Sequence, residues 1–165
     1  MSIILKGTDT ILGIERDATS AEQFTTWVNY TPSGSWVTNT TYTGEMRIIG
    51  DTLESRVKIT LAGAPIGTPD ANVLTLNLPT GLSVNTFKML AGARVPIGSA
   101  TLSDGASNYV ASMMWISYDP TALSVVHHLA IGSLVNLPAI GVNASTPFTW
   151  ESGDGIDIYY SIPVN

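Results

Sequence analysis

Tyr42-Thr43-Gly44-Glu45-Met46-Arg47-Ile48-Ile49-Gly50-Asp51-Thr52-Leu53-Glu54-Ser55-Arg56-Val57-Lys58-Ile59-Thr60-Leu61 alternates in polarity on both sides of a central Gly-Asp pair. On a strand, successive side chains point to opposite faces. Tyr42, Gly44, Met46 and Ile48 then share one face, and Thr43, Glu45, Arg47 and Ile49 the other. Downstream, Leu53, Ser55, Val57, Ile59 and Leu61 form an apolar row, with Glu54, Arg56, Lys58 and Thr60 opposite. Gly50-Asp51 suits a two-residue type II′ turn, in which glycine supplies the positive φ. The resulting register sets Arg47 against Glu54 and Glu45 against Arg56 on the polar side. It sets Ile48 against Leu53 and Tyr42 against Ile59 on the apolar side. Opposite charges meet at both polar positions, and a slip of one residue puts the apolar row in water. This register predicts an antiparallel hairpin.

Outward from the hairpin, short alternating segments recur between turn residues. Strands are predicted at Val73 to Leu78, Arg94 to Leu102, Ser107 to Tyr118, Ala122 to Ile131 and Ile156 to Ile162, separated by Leu78-Pro79-Thr80-Gly81-Leu82, Ser103-Asp104-Gly105 and Asp119-Pro120. Such spacing indicates an all-β sandwich or barrel. The amino-terminal end differs. Residues 1–26 carry Lys6, Asp9, Glu15, Arg16, Asp17 and Glu22, and Ser20 with Gln23 three positions on makes a weak capping box. With no Gly/Ser linker after it, this end reads as an arm leading into one domain over 27–165.

The chain has 165 residues, the size of one domain, of which 44% are hydrophobic and only 12% charged, against roughly 25% in an average soluble protein. That composition excludes disorder and leaves apolar surface for a subunit interface as well as a core. A formal charge of −6 excludes nucleic acid as a partner, since no cationic excess exists to neutralise phosphate. Cysteine is absent, so disulfides, thiol catalysis and thiolate metal sites are excluded together. The start has no signal-peptide pattern. Leu123 to Val142 is long and apolar, but His127, His128, Asn136, Pro138 and two glycines interrupt it and no Lys or Arg flanks it. Short strands explain it better than a membrane span.

After Arg94 there is no Lys or Arg, while Asp104, Asp119, Glu151, Asp154 and Asp157 remain. This half is rich in apolar residues, and strands apolar on both faces, such as Val110 to Ile116, are expected to have core on one side and another subunit on the other, the alternative being a strand buried wholly within one sandwich. Met113, Trp115, Val125, His127, Leu129 and Tyr159 are the residues expected at that contact.

Motifs for chemistry are weak. His127 and His128 are the only histidines, and adjacent strand residues cannot ligate one ion. Glu151, Asp154 and Asp157 are the nearest to a glycosidase carboxylate pair, but Gly153-Asp154-Gly155 reads as a turn and Asp157 should face outward, so solvated carboxylates are expected. No acidic loop has EF-hand spacing, and no nucleophile elbow, Walker or dinucleotide pattern occurs. No catalytic residue, metal or cofactor is expected. Among the four tryptophans Trp36, beside Ser33-Gly34-Ser35, is expected to be the most exposed and is the candidate glycan contact, whereas Trp115 sits in a densely apolar strand.

The order of four segments carries a resemblance: Trp27 through Tyr30-Thr31-Pro32; Arg47-Ile48-Ile49-Gly50-Asp51-Thr52-Leu53-Glu54; Leu78-Pro79-Thr80-Gly81-Leu82; and Pro147-Phe148-Thr149-Trp150-Glu151-Ser152-Gly153-Asp154. Over 27–165 the chain resembles a domain of tailed-bacteriophage structural proteins, similar to the trimeric jelly rolls of the complement C1q and tumour necrosis factor type. The resemblance implies a homotrimeric jelly-roll knob without enzymatic activity, found on fibres or as a decoration (cement) protein on the outer surface of the head. Fibre knobs usually follow a long shaft, yet residues 1–26 show neither heptads nor Gly-X-Y. A short arm suits a protein bound directly to the major capsid protein, with Ile3, Ile4, Leu5, Ile11, Leu12 and Ile14 expected to add strands to capsid edges. The alternative is a fibre or spike tip that recognises host-surface glycan.

Overall fold

The computed structural model describes residues 26–67, 73–90, 94–105, 107–116, 122–128 and 139–165, and of 94, 114–116, 122–128 and 139–140 the backbone alone. The arm residues Ile3 to Ile14, the capping box at Ser20 and Leu129 lie outside the described residues. Within them the chain is all-β: β1 (Val28–Tyr30), β2 (Trp36–Ile49), β3 (Thr52–Gly67), β4 (Thr75–Asn77), β5 (Arg94–Asp104), β6 (Ser107–Ile116), β7 (Ala122–His128), β8 (Ala139–Gly141) and β9 (Ser152–Pro163). The only helical turn among them is a 3-10 turn at Thr86–Lys88.

Every strand pairing is antiparallel, in the spatial order β1-β2-β3-β9-β5-β6-β7-β4, with β8 beside β7. The β2–β3 hairpin has the register the charges dictate: Arg47 opposite Glu54, Glu45 opposite Arg56, Ile48 opposite Leu53 and Tyr42 opposite Ile59. Gly50 has φ 65° and Asp51 is not in the positive-φ region, as a type II′ turn requires. Leu53, Ser55, Val57, Ile59 and Leu61 are all buried.

The hairpin runs further than its alternation indicates. β2 continues back to Trp36 through register shifts at Trp36/Thr38 and Thr38/Thr40, with Asn39 at φ 57° donating from Nδ2 to the Ala64 carbonyl at 2.9 Å. Asparagine tolerates the left-handed region, so the strand bulges without ending. Two more features lie beyond local pattern. β1 pairs with β2 through Val28 opposite Met46, and the Tyr30 hydroxyl meets Ser55 Oγ at 2.7 Å. The last strand, β9, enters between β3 and β5.

The two ends of the strand order meet. Ser35 N donates to Thr75 O at 3.0 Å and Asn77 N to Ser33 O at 2.9 Å, with an isolated bridge between Gly34 and Leu76. Ser35 Oγ joins the seam from the side, accepting from Thr75 N at 2.9 Å and donating to Val73 O at 3.0 Å. The segment leading into β2 thus satisfies the edge of β4, and the sheet curls closed around one core.

Inside lie Trp36, Trp150, Tyr160, Leu102 and Ile156 with the inner rows of the hairpin. Met113 is expected at a subunit contact, but it is fully buried by its own chain. β6 has its inward row at Ala111 and Met113, so this side chain fills the core. Phe87, at the other extreme, is fully exposed, on a turn pinned by the ion pair of Lys88 with Asp51.

Candidate functional site

Four neighbouring strands, β2, β3, β9 and β5, present their outward rows side by side. In one row Thr43 stands opposite Lys58, Lys58 opposite Asp157, and Asp157 opposite Thr101. In the next, Glu45 stands opposite Arg56, Arg56 opposite Tyr159, and Tyr159 opposite Ser99. With Asn29, Tyr30 and Thr31 from β1 and its exit as a wall, these rows line a cleft of about 780 Å³. Curvature makes it: the twist of the sheet turns what is locally a solvent face into a concavity.

The charged groups of the cleft are near one another but hardly engaged. Arg56 and Glu45 approach only to 4.0 Å, and Lys58 and Asp157 form no ion pair among the described residues. The tight pair, Arg47 Nε donating to Glu54 Oε2 at 2.6 Å, lies one row away. Trp27 caps this end. The Arg47 and Arg56 guanidinium carbons lie 4.7 and 4.2 Å from its ring centroid, within cation–π range. Beneath the β1 wall, Tyr30 and Ser55 share a hydrogen bond beside the buried hydroxyl of Tyr160. Burial raises the Tyr30 hydroxyl pKa above its ordinary value, and that of Tyr160 further, with the neighbouring Tyr30 adding to the effect.

Of the residues singled out from sequence, Tyr159 faces outward on this cleft, as does Asp157. Trp36 does not. The expectation that it is exposed and contacts glycan is overturned, because it is buried edge-on against Trp150 with ring centroids 5.4 Å apart. The Gly34–Leu76 bridge draws the chain across the seam with β4, and Trp36 enters β2 on the inward side. Asp154 is likewise not a solvated turn carboxylate. It is buried, accepting from Glu151 N at 2.7 Å and Gly105 N at 3.3 Å, and so ties the approach to β9 to the β5–β6 turn. Glu151 and Asp157 stay exposed, as expected.

Trp115, Val125 and His127 are placed by backbone only, opposite Leu123, Met113 and Ala111. No cluster of three His, Asp or Glu that could hold a metal ion occurs among the described residues. The cleft itself was not legible as a site. The alternation identifies Glu45, Arg56 and Lys58 as a polar face, but the facing wall comes from β9 and β5, far away in the chain. Comparison with protein-family models, with curated proteins and with solved structures finds no match for the chain.

Proposed function

We propose that this chain is a structural protein of the bacteriophage virion: a head decoration protein whose jelly-roll knob self-associates as a trimer and clamps neighbouring capsid subunits. The observation that carries the reading is apolar surface left outside a completed core. Phe87, Leu90 and Val110 are 100%, 77% and 76% exposed in a chain where only 12% of residues are charged. Large apolar side chains in such positions are characteristic of surfaces covered by partners. Val110 lies on the outer face of β6, within the carboxy-terminal half whose strands pack about the proposed three-fold axis. The arm, residues 1–26, engages the capsid. Stabilisation then follows from mass action, since a ligand of the assembled lattice alone favours assembly, and three linked arms multiply weak contacts through effective concentration.

Native mass spectrometry is expected to give three times the 17.5 kDa chain mass. Imaging of particles is expected to place the knobs on the outside of the head. Removing residues 1–20 is expected to leave the trimer intact and abolish co-sedimentation with shells. A monomer at micromolar concentration, or truncated knobs that still decorate shells, would contradict the reading.

A further inference from the structure

The cleft over β2, β3, β9 and β5 has a chemistry that the virion reading does not use. We propose that it is a binding site for a neutral oligosaccharide. Its four charged groups balance: Glu45 and Asp157 against Arg56 and Lys58. A polyanion would meet two carboxylates and a polycation two cationic side chains, whereas an uncharged polyol can use all four. Hydroxyl groups of a sugar donate to the carboxylate oxygens of Glu45 and Asp157 and accept from Arg56 and Lys58. Such charge-assisted bonds are stronger than neutral ones.

Spacing supports the assignment. Strands stand about 4.8 Å apart, and same-face residues along one strand are separated by about 6.8 Å. The two rows therefore set the cations Lys58 and Arg56 side by side on β3, between the acceptors Glu45 on β2 and Asp157 on β9, a spacing that a chain of pyranose rings can span. Thr43, Thr101 and Ser99 extend the grid with groups that donate or accept as required. Apolar area comes from the Tyr159 ring and the aliphatic stems of Arg56 and Lys58, which suit the C–H faces of sugars. Among the described residues, Lys58 and Asp157 form no ion pair, and Arg56, which rests on the Trp27 ring, approaches Glu45 only to 4.0 Å. Tyr159 moves in this reading from an expected subunit contact to the ligand wall.

The test is titration of the purified full chain with maltohexaose, cellohexaose and mannohexaose, with sialyllactose as the anionic arm. Calorimetry follows affinity and amide chemical shifts map the site. At least one neutral hexaose is expected to bind saturably, shifting amides of Lys58, Thr101 and Tyr159 and leaving Phe87 unmoved. Tyr159→Ala and Asp157→Asn, each checked for an unchanged melting temperature, are expected to weaken binding by about tenfold or more, and Phe87→Ser not at all. The wild-type shift map needs no variant, so a misfolded mutant leaves the test decisive. The proposal is overturned if no neutral hexaose binds at millimolar concentration, if sialyllactose binds preferentially, or if shifts map elsewhere. It is also overturned if Tyr159→Ala lowers the oligomer mass, because the cleft is then a seam between subunits. None of these outcomes bears on whether the protein sits on a head, which imaging decides separately.

Discussion

The indole of Trp36 meets that of Trp150 at an interplanar angle of 73°, with its Nε1 buried and unpartnered. Two costs of opposite sign therefore reside in one side chain. Trp36→Ala removes the packing and is expected to cost about 3–5 kcal/mol in urea unfolding. Trp36→Phe keeps much of the ring contact and deletes the unpaired donor, so its midpoint is expected to fall much nearer the wild type. The buried tyrosines make a second prediction. Burial pushes the Tyr42 hydroxyl from its usual pKa near 10 up to about 12, and Tyr30 and Tyr160 are raised in the same sense. The unfolded chain thus loses these protons at lower pH than the folded one. Stability is expected to hold below pH 10 and to fall from pH 10 to 12. Absorbance at 295 nm should show delayed tyrosinate formation that completes as the circular dichroism of the fold is lost. Neither Trp36 nor Asp154 was legible locally: Ser33-Gly34-Ser35 and Gly153-Asp154-Gly155 resemble exposed turns, and it takes contacts distant in the chain, Ser35 with Thr75 at a separation of 40 residues and Asp154 with Gly105 at 49, to enclose them.

Among the elements, the β2–β3 hairpin contains its own experiment. Its two cross-strand ion pairs have the same chemistry but different surroundings. Arg47 and Glu54 are 2.6 Å apart with side chains 31% and 19% exposed; Arg56 and Glu45 are 4.0 Å apart at 59% and 47%. Double-mutant cycles are expected to give about 0.5–1 kcal/mol for the first and about 0.2 kcal/mol or less for the second, because solvent screens the longer pair. Equal couplings would show that register alone sets the energy. This hairpin was legible in sequence because its period, its turn and its charges are all written within twenty consecutive residues. β1 is three residues with no alternation to betray it, and the neighbours of β9 are set by closure of the whole sheet. That difference also explains why half of the cleft was visible in advance and half was not.

At the level of the whole molecule, closure rests on a narrow seam. A side chain added at Gly34 would come within 2.8 Å of the Tyr42 hydroxyl and closer still to the Thr75 carbonyl oxygen. Gly34→Val is therefore expected to pry the segment ahead of β2 from β4, costing about 1–3 kcal/mol. Amide exchange in Thr75–Asn77 should accelerate well before that in the hairpin. Failure to see faster exchange there would mean that β4 is held by β7 alone.

β9 is bonded on both sides, to β3 through Leu53 opposite Ile162 and to β5 through Leu102 opposite Ile156. A nascent polypeptide emerging from the ribosome accordingly exposes two half-sheets with complementary raw edges until Pro163 has been translated. Closure of the sheet is in this sense timed by synthesis, because no chain that lacks β9 can join the edge of β3 to that of β5.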